Sequence, residues 1–253
     1  MYSHAVLVLV SAVAVSTAAA QAPRASAPHA VELAGKVMDR LGGEDAWAGT
    51  RYVQWRFFGR RMHYWDRSTG DLRIESPAHE ARDGEMRPSQ LILMNVHTRE
   101  GRAWEDGDEV KAPDRLRELL DLGHEWWIND SYWMFMPYKM LDPGVVLRYV
   151  GERKLEDSRL GDVVEMTFEP EVGYTPRNKY EVWIGRDSGL VEQWTFWNDA
   201  TDEQPGFTLP WDGWRQFGDI WLATGHGQGK DWEIDVPRDL PRSVFTSPDP
   251  VSD

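Results

Sequence analysis

The chain has 253 residues and carries 42 acidic against 28 basic side chains, which gives a formal net charge of −14 at pH 7. This charge argues against nucleic acids and anionic membrane surfaces as partners, because both attract Lys and Arg. The sequence contains no cysteine, so disulfides are excluded and the core must stabilise the fold, while 14 Trp predict either a very aromatic core or an aromatic-lined cavity.

The N-terminus has the pattern of an export signal. An apolar run of small residues extends from Ala5 to Ala20, and Ala22 follows two residues later. The run is shorter than the roughly 20 residues that a membrane-spanning helix needs. Its small-residue end favours a cleaved signal peptide over a buried N-terminal helix. We therefore predict a signal peptide over residues 1–22, with cleavage near Ala20 or Ala22. A linker over residues 23–28 and a soluble, periplasmic or secreted mature protein follow from this prediction.

The next segments predict helices followed by strands. Apolar residues recur at three- and four-residue steps over residues 29–41, which predicts an amphipathic helix that ends at Gly42-Gly43. One further helical turn is predicted over residues 44–49. From Arg51 the apolar period changes to two, which predicts strands. The strands of this first set cover residues 51–59, 60–67, 71–75, 90–97 and 101–110, and residues 76–89 form a loop.

Residues 114–140 interrupt the strand pattern. Several Leu start a helix, with Pro113 near its first turn. Residues 124–140 then contain six aromatic residues and three Met and have no clean polar face. We expect a broken helix or lid here, and the sequence leaves open whether it is a core element or a mobile cap over a cavity.

Strands resume after residue 144. They are predicted over residues 145–155, 162–169, 178–185, 190–198, 207–217, 220–224 and 231–236. No repeat of fixed period and no linker separates the two sets of strands. We therefore predict a single domain over residues 29–240 and an irregular, Pro-rich tail over residues 241–253.

The sequence contains no familiar catalytic or metal-binding motif. GxSxG and HExxH are absent, and the seven His form no ligand pair at close spacing. The Gly-rich stretch at residues 225–230 lacks the helix that a phosphate loop requires, so a hairpin turn is favoured. We predict no catalytic residue, no metal and no cofactor.

Residues 55–66 carry the most suggestive polar pattern. Strand alternation places Trp55 and Phe57 on one face, with Gln54, Arg56 and Phe58 on the other. In the next strand it places Arg61, His63 and Trp65 on one face. This second face is either an anion-binding patch or a solvated strand with cross-strand ion pairs, and the sequence leaves both open. A further hypothesis, an exported hydrolase, would use His63 as a base and Asp66 as its orienting carboxylate.

The order of elements and two stretches, WAGTRYVQWRFFGRRMHYWDRSTGDLRIE and NDSYWMFMPYKMLDPGV, resemble the LolA/LolB-like family of periplasmic lipoprotein carriers. They resemble even more a related family of uncharacterised exported proteins. The resemblance implies an α+β, mainly antiparallel fold. Its sheet would be a strongly curved half-barrel, with an N-terminal helix and a helical lid covering the concave side. It also implies an acyl-chain cargo and no cofactor. The chain departs from the classical carriers in its Trp content and in its longer helical insert.

On this basis we expect a non-enzymatic, monomeric carrier for a lipid or lipoprotein acyl chain, with an envelope protein as a further partner. The expected ligand-binding residues are Trp55, Phe57, Arg61, His63, Trp65, Trp126, Trp127, Trp133, Phe135, Met136, Tyr138 and Lys139. The aromatic residues and Met would line the walls, and Arg61 or Lys139 would lie near a polar headgroup. A third hypothesis is a carbohydrate- or envelope-binding module, which requires exposed Trp that stack on sugar rings.

Overall fold

The structure is a computed structural model, and it describes residues 25–81, 83–227 and 232–251. Within these ranges the helices are α1 (Pro28–Arg40), α2 (Gly43–Gly49), α3 (Pro113–Phe135) and α4 (Ser243–Thr246), and a 3-10 turn covers Met136–Lys139. The strands are β1 (Tyr52–Phe57), β2 (Arg61–Asp66), β3 (Asp71–Ser76), β4 (His79–Glu80), β5 (Met86–Arg87), β6 (Gln90–Asn95), β7 (Gly101–Glu105), β8 (Asp108–Glu109), β9 (Val145–Lys154), β10 (Leu160–Phe168), β11 (Lys179–Gly185), β12 (Val191–Trp197), β13 (Phe207–Pro210), β14 (Asp212–Phe217), β15 (Ile220–Gly225) and β16 (Ile234–Asp235).

The strands form sheets that do not close into a barrel. One sheet has seven strands in the order β16-β1-β2-β3-β6-β7-β8, and another has five in the order β13-β12-β11-β10-β9. Two-stranded ribbons are formed by β14 with β15 and by β4 with β5. The strand pairs of the described residues are antiparallel. The predicted class, α+β with mainly antiparallel strands, is confirmed, and the open sheets are consistent with a curved half-barrel.

The register of β1 and β2 determines which side chains meet α3. Trp55 lies opposite His63, Val53 opposite Trp65, and Phe57 opposite Arg61. Residues directly opposite each other project from the same face of a sheet. These side chains therefore share the inner face, which α3 covers, and the predicted common face of Arg61, His63 and Trp65 is present.

Two buried clusters hold the helices to the sheets. The smaller cluster is aliphatic and lies under the N-terminal half of α3. We call it the aliphatic cluster; its buried members are Leu72, Ile74, Ile92, Met94, Val96, Ala103, Leu119 and Leu120. The larger cluster is rich in aromatic residues and joins α1, the C-terminal half of α3 and strands of both sheets. The core is therefore divided along the length of α3.

The prediction of a broken helix is wrong before Phe135. α3 runs without interruption over 23 residues. No Pro or Gly lies between His124 and Phe135. The helix ends at Phe135, whose backbone leaves helical values at φ −116° and ψ 9°, and the chain continues as the 3-10 turn that contains Pro137.

The predicted strand over residues 207–217 is in fact two strands of different sheets. β13 pairs with β12, and β14 pairs with β15. Pro210 stands at the break and has no N–H to donate to a ladder. Trp211 follows, is fully buried, and donates its backbone N–H to the oxygen of Glu192.

Two smaller predictions also need correction. Phe58 has a positive φ of 44° and lies beyond the end of β1, so strand alternation does not apply to it. Its ring contacts Trp133 and Trp232, so Phe58 lies on the same face of the sheet as Phe57. The predicted loop over residues 76–89 contains β4 and β5.

The C-terminal tail was expected to be irregular and is not so over Ser243–Thr246, which form α4. Val244 is only 3% exposed, and the tail packs on the outer face of the seven-stranded sheet. Burial of this apolar side chain orders the segment. The Arg73 guanidinium of β3 also donates to the backbone carbonyl oxygens of Val244, Ser247 and Asp249. The predicted signal peptide lies outside the described residues, and so do the first two residues of the predicted linker. No helix of the described residues combines the length and apolar character needed to cross a membrane.

Candidate functional site

Most of the predicted ligand-binding residues meet where the inner face of β1 and β2 contacts the C-terminal half of α3. We call this region the aromatic interface and define it by Trp55, His63, Trp65, Trp127 and Phe135. Trp55 stacks on His63 with ring centroids 4.5 Å apart, and Phe135 lies edge-on to Trp55 at 5.6 Å. Trp65 lies 5.3 Å from Trp127 and 6.1 Å from Phe135. The sequence-based grouping of these residues is thus present as direct contact.

Side chains fill the space between α3 and the sheet. Trp55 and Met136 are 0% exposed and Phe135 is 1% exposed, whereas Trp65 and Trp127 are half-buried. Two surface clefts of about 430 and 340 Å³ lie elsewhere and are lined by none of the predicted ligand-binding residues. In this conformation α3 therefore serves as a packed core element.

A buried ionic cluster connects α3 to β2. The guanidinium of Arg61 donates two hydrogen bonds to the Asp130 carboxylate, at 2.7 and 2.8 Å. His63 Nε2 lies 2.7 Å from Asp130 Oδ2, and both side chains are 0% exposed. Arg61 also lies over the rings of Phe57 and Trp126, at 5.0 and 4.9 Å from their centroids. The headgroup-binding role expected for Arg61 therefore competes with an internal carboxylate.

The electrostatics of this cluster favour a charged Asp130 and a neutral His63. Burial opposes the charge on Asp130, but the hydrogen bonds from His63 and Arg61 outweigh it and lower the pKa of that carboxyl. Burial lowers the pKa of His63, although the hydrogen bond to Asp130 acts in the opposite direction. A neutral His63 must carry its proton on Nε2 to donate to Asp130, which leaves Nδ1 as a buried acceptor with no partner among the described residues.

The hydrolase hypothesis named the wrong carboxylate. His63 and Asp66 have opposite parity in β2 and so project from opposite faces. Asp66 accepts hydrogen bonds from Arg51 and from the backbone N–H groups of Ser68 and Thr69, and it closes the turn between β2 and β3. His63 has a carboxylate partner in Asp130, but both groups are fully buried, so neither water nor substrate reaches the pair in this conformation.

Several buried nitrogen donors lack an acceptor. Within the described residues, indole nitrogens with no hydrogen-bond partner belong to Trp55, Trp65, Trp127, Trp183, Trp194 and Trp211. Buried polar groups in proteins are nearly always paired, so such a number in one chain calls for an explanation. Trp55, Trp65 and Trp127 belong to the aromatic interface, which therefore combines apolar walls with unused donors.

His226 forms a second aromatic group beside the interface. Its ring lies 4.4 Å from Trp232, 4.6 Å from Trp211 and 6.5 Å from Trp133. The residue is 2% exposed, and neither ring nitrogen has a hydrogen-bond partner among the described residues. Burial lowers the pKa of His226 to about 4, although the nearby backbone of Trp133 acts in the opposite direction. The imidazole is therefore neutral at physiological pH.

The remaining predicted residues have internal partners. The Tyr138 hydroxyl lies 2.9 Å from the carbonyl oxygen of Leu41 and 2.7 Å from that of Trp221. Lys139 Nζ bonds Asp142 at 2.5 Å and remains partly exposed. Tyr138 thus joins α1 to β15, and Lys139 lies outside the aromatic interface. Neither provides a free headgroup contact in this conformation.

Sequence reasoning missed Asp130 and His226. Asp130 has a signal in the sequence, because a carboxylate within the apolar stretch from Trp126 to Met140 needs a buried partner. His226 has none, because its neighbours Trp133 and Trp211 are distant in sequence. Among the described residues no group of three or more His, Asp or Glu is arranged to hold a metal ion.

The carbohydrate-binding hypothesis required exposed Trp side chains. All 14 Trp lie within the described residues, and each is buried or half-buried. A sugar-stacking platform needs an open ring face. None of the 14 Trp side chains belongs to the exposed class in this conformation, so the structure does not support this hypothesis.

No protein-family model and no curated protein matches the sequence. Among solved structures, a protein domain from Vibrio parahaemolyticus, described as an outer membrane lipoprotein-sorting protein domain, shares 12% identity. The match covers 86% of this chain and 96% of that chain with a TM-score of 0.41. A LolA superfamily protein from Nitrosomonas europaea shares 9% identity over 86% of this chain and 97% of that chain, with a TM-score of 0.42.

The MucA/MucB complex of Pseudomonas aeruginosa is also similar, at 15% identity over 79% of this chain and 56% of that chain, with a TM-score of 0.26. One of these solved structures is thus described as a LolA superfamily protein, and this is the family that the sequence resembles. With TM-scores below 0.5 the likeness is one of general layout and says nothing about a ligand or partner of this chain.

Proposed function

We propose that this protein is a non-enzymatic binding protein for an apolar ligand with a polar end, such as the acyl chain of a lipid or lipoprotein. The aromatic interface carries the proposal: its rings provide apolar walls, and its buried indole N–H groups have no acceptor among the described residues. A carboxylate or ester oxygen of the ligand would accept from these donors.

Because the aromatic interface is packed, ligand binding requires the C-terminal half of α3 to move away from β1 and β2. The N-terminal half would stay in place on the aliphatic cluster. Met134 belongs to the moving part and Met136 follows it, and the flexible thioether side chain adapts readily to a new neighbour. Burial of an acyl chain gains about 0.8 kcal/mol per CH₂ group, which could offset the lost packing of the helix.

We further propose that the protein acts outside the cytoplasm as a single domain and a monomer. The N-terminal sequence pattern supports export. The tail contacts in the structure support extension of the domain beyond residue 240, because Val244 is buried against the sheet. The host envelope would supply the lipid or lipoprotein.

Native mass spectrometry with palmitic acid as the probe tests the proposal. We expect one palmitate per chain and a change in Trp emission, because the ligand would contact Trp55, Trp65 and Trp127. The Trp127→Phe variant should bind several-fold more weakly, since it loses a donor worth about 1 kcal/mol.

Trp214→Phe is the matched control for this experiment. Trp214 is half-buried like Trp127, but its indole nitrogen already donates to the carbonyl of Val191 at 2.8 Å. Its loss should leave palmitate affinity unchanged. An apo mass and constant emission at saturating palmitate would show that the aromatic interface is only a core.

A further inference from the structure

Arg67, the first residue after β2, is a half-buried cation at the edge of the aromatic interface. Its guanidinium lies 3.5 Å from the centroid of the Trp47 ring and 5.6 Å from that of Trp65. Burial lowers the pKa of Arg67 to about 10, and the Tyr138 phenol acts in the opposite direction. No carboxylate of the described residues compensates for this burial, which is unfavourable for a cation.

The hydrogen bonds of Arg67 use one edge of the guanidinium. Nη1 donates to the carbonyl oxygens of Trp47 and Thr50 at the C-terminus of α2, so this nitrogen caps the helix. Nε is buried and has no acceptor, and no hydrogen bond within the described ranges reaches Nη2. Nε–H and Nη2–H point the same way from the planar group, which is the geometry that binds both oxygens of a carboxylate. The capping contact therefore leaves the carboxylate-binding edge without a partner.

Other arginines show what this edge binds in the same chain. The Nε/Nη2 edge holds a carboxylate in several pairs, namely Arg51 with Asp66, Arg61 with Asp130, Arg115 with Glu105 and Arg186 with Asp162. In the Arg61 pair the two N···O distances are 2.7 and 2.8 Å. The planar fork of Arg matches a carboxylate better than any single acceptor. A carboxylate is therefore the complement that the Nε/Nη2 edge of Arg67 lacks.

The edge of Arg67 adjoins the space that ligand binding would open. Phe135 of α3 lies 5.2 Å from Trp47 and 6.1 Å from Trp65, so it contacts both rings that flank Arg67. Displacement of the C-terminal half of α3 would withdraw Phe135 and expose the gap between these rings. The Arg61 guanidinium, at the opposite end of β2, is already neutralised by Asp130. Arg67 is thus available to an anionic ligand, and Arg61 is not.

We propose that Arg67 binds the anionic end of the ligand and that the ligand is a free fatty acid rather than an esterified chain. This inference rests on the proposed function and specifies the polar end of its ligand. The single positive charge of Arg67 balances that of a carboxylate, whereas a phosphate monoester carries about 1.5 to 2 negative charges. An ester offers oxygen acceptors but no charge, so it would leave the guanidinium without a counter-ion.

Competition between palmitate and methyl palmitate tests this inference, because the two probes share one acyl chain and differ in charge. The full chain is mixed with both at equal concentration, and native mass spectrometry measures the two adducts in one spectrum. We expect palmitate to be preferred at least tenfold, since the ester lacks a charge-assisted, two-pronged contact. Hexadecyl phosphate, as a third probe, should bind no better than palmitate.

Two variants assign the preference to Arg67. Arg67→Lys keeps the charge and a donor for the α2 carbonyls but loses the planar edge, so the preference for palmitate should fall about threefold. Arg67→Gln also removes the charge, and its preference should be less than about twofold. Both variants should bind methyl palmitate as the parent does, which distinguishes a lost anion contact from a damaged fold. If Arg67→Gln does not fold, Arg67→Lys carries the test.

Arg40→Gln is the matched control. Arg40 likewise lies over a Trp ring, that of Trp221 at 4.9 Å, and donates to a backbone carbonyl, that of Ser188 at 3.1 Å. It is exposed, and Trp221 does not belong to the aromatic interface. This variant should prefer palmitate as strongly as the parent.

The outcomes separate this inference from the proposed function. No adduct with either probe would contradict the proposed function, and this inference with it. Equal adducts of palmitate and methyl palmitate would leave acyl-chain binding in place and overturn only the carboxylate assignment. A preference that persists in both Arg67 variants would assign the carboxylate to another residue. A stronger adduct with hexadecyl phosphate would identify the polar end as a phosphate.

Discussion

The two halves of α3 pack on the same sheet in different ways. The N-terminal half places Leu119, Leu120 and Gly123 on the aliphatic cluster. Gly123 allows close approach, because a Cβ there would lie 3.0 Å from two carbons of Ile92. The C-terminal half instead places Trp127 and Asp130 on β2, where it buries an ionic cluster and indole donors without acceptors.

The difference indicates which half is the anchor. Aliphatic packing needs no polar partner and is stabilising wherever it is buried. A buried ion pair, in contrast, often stabilises less than apolar side chains of similar volume, and an unpaired buried donor is unfavourable. The C-terminal half of α3 is therefore the part whose packing is least favourable, and it is the part that ligand binding would displace.

The largest expected effect is that of Asp130→Ala. The variant leaves the buried His63 and the half-buried Arg61 without their carboxylate, and loss of one partner of a buried pair costs about 3–5 kcal/mol. Urea denaturation should show this loss in the free energy of unfolding. Asp114→Ala, exposed at the start of the same helix, is the control and should cost about 0.5 kcal/mol. Similar values for both variants would mean that the ionic cluster does not hold α3.

Leu119→Ala tests the anchor. Leu119 is 1% exposed, and truncation of a buried Leu costs about 2–5 kcal/mol. Thermal unfolding should show this loss, whereas palmitate uptake by the folded variant should remain unchanged. Reduced uptake at a temperature where the variant is folded would contradict the division of α3 into an anchor and a moving half.

His226→Phe tests the pH dependence of the aromatic region. The pKa of His226 in the folded chain is about 4, below its ordinary value near 6.5. Between these values the unfolded chain takes up a proton that the folded chain does not, so the parent loses stability as the pH falls from about 6.5 to about 4. The slope for one such group is at most about 1.4 kcal/mol per pH unit.

The variant should lack this contribution, as measured by urea denaturation across the same pH range. His63 and His124 also have lowered pKa values and give slopes of the same sign, so the comparison is between variant and parent. Asp130, whose pKa is lowered, acts only at still lower pH. Identical slopes for both proteins would show that the imidazole is charged or solvated in the folded state.

The smallest effect concerns a single indole donor. Trp65→Phe loses ring volume but also removes a buried N–H that has no acceptor, so the two effects offset each other and the net cost should stay below about 1 kcal/mol. Trp214→Phe is again the control, because its donor is paired and the Val191 carbonyl would be left without a partner. Urea denaturation should give it the larger loss, and the reverse order would show that Trp65 is paired in solution.

The sequence-based predictions agree with the structure where they rest on the pattern within a single element. The period of apolar residues located α1 and the first strands, and alternation correctly grouped Arg61, His63 and Trp65. Both patterns arise from the geometry of a single element. Contacts between distant elements have no such signal: Asp130 and His63 are 67 residues apart, so the pairing of His63 could not be assigned from spacing.

The same reasoning explains the errors. Near Trp126, α3 contacts both buried clusters, so it carries aromatic residues on all sides. A helix at a surface is expected to have one polar face, and the absence of that face led to the incorrect prediction of a broken helix. The tail looks irregular because Pro248 and Pro250 exclude regular structure. Its order depends on Arg73, which is more than 170 residues away from Ser247 in sequence.

The Arg73 contacts also determine how the molecule responds to mechanical load. A force applied at the C-terminus acts first on the three carbonyl contacts, before it reaches β16 and the sheet. These contacts follow one another along the chain, so the force loads and breaks them one at a time, beginning with the contact of Asp249. The tail should therefore yield first and at low force, releasing about 30 Å of chain while the rest of the domain stays intact.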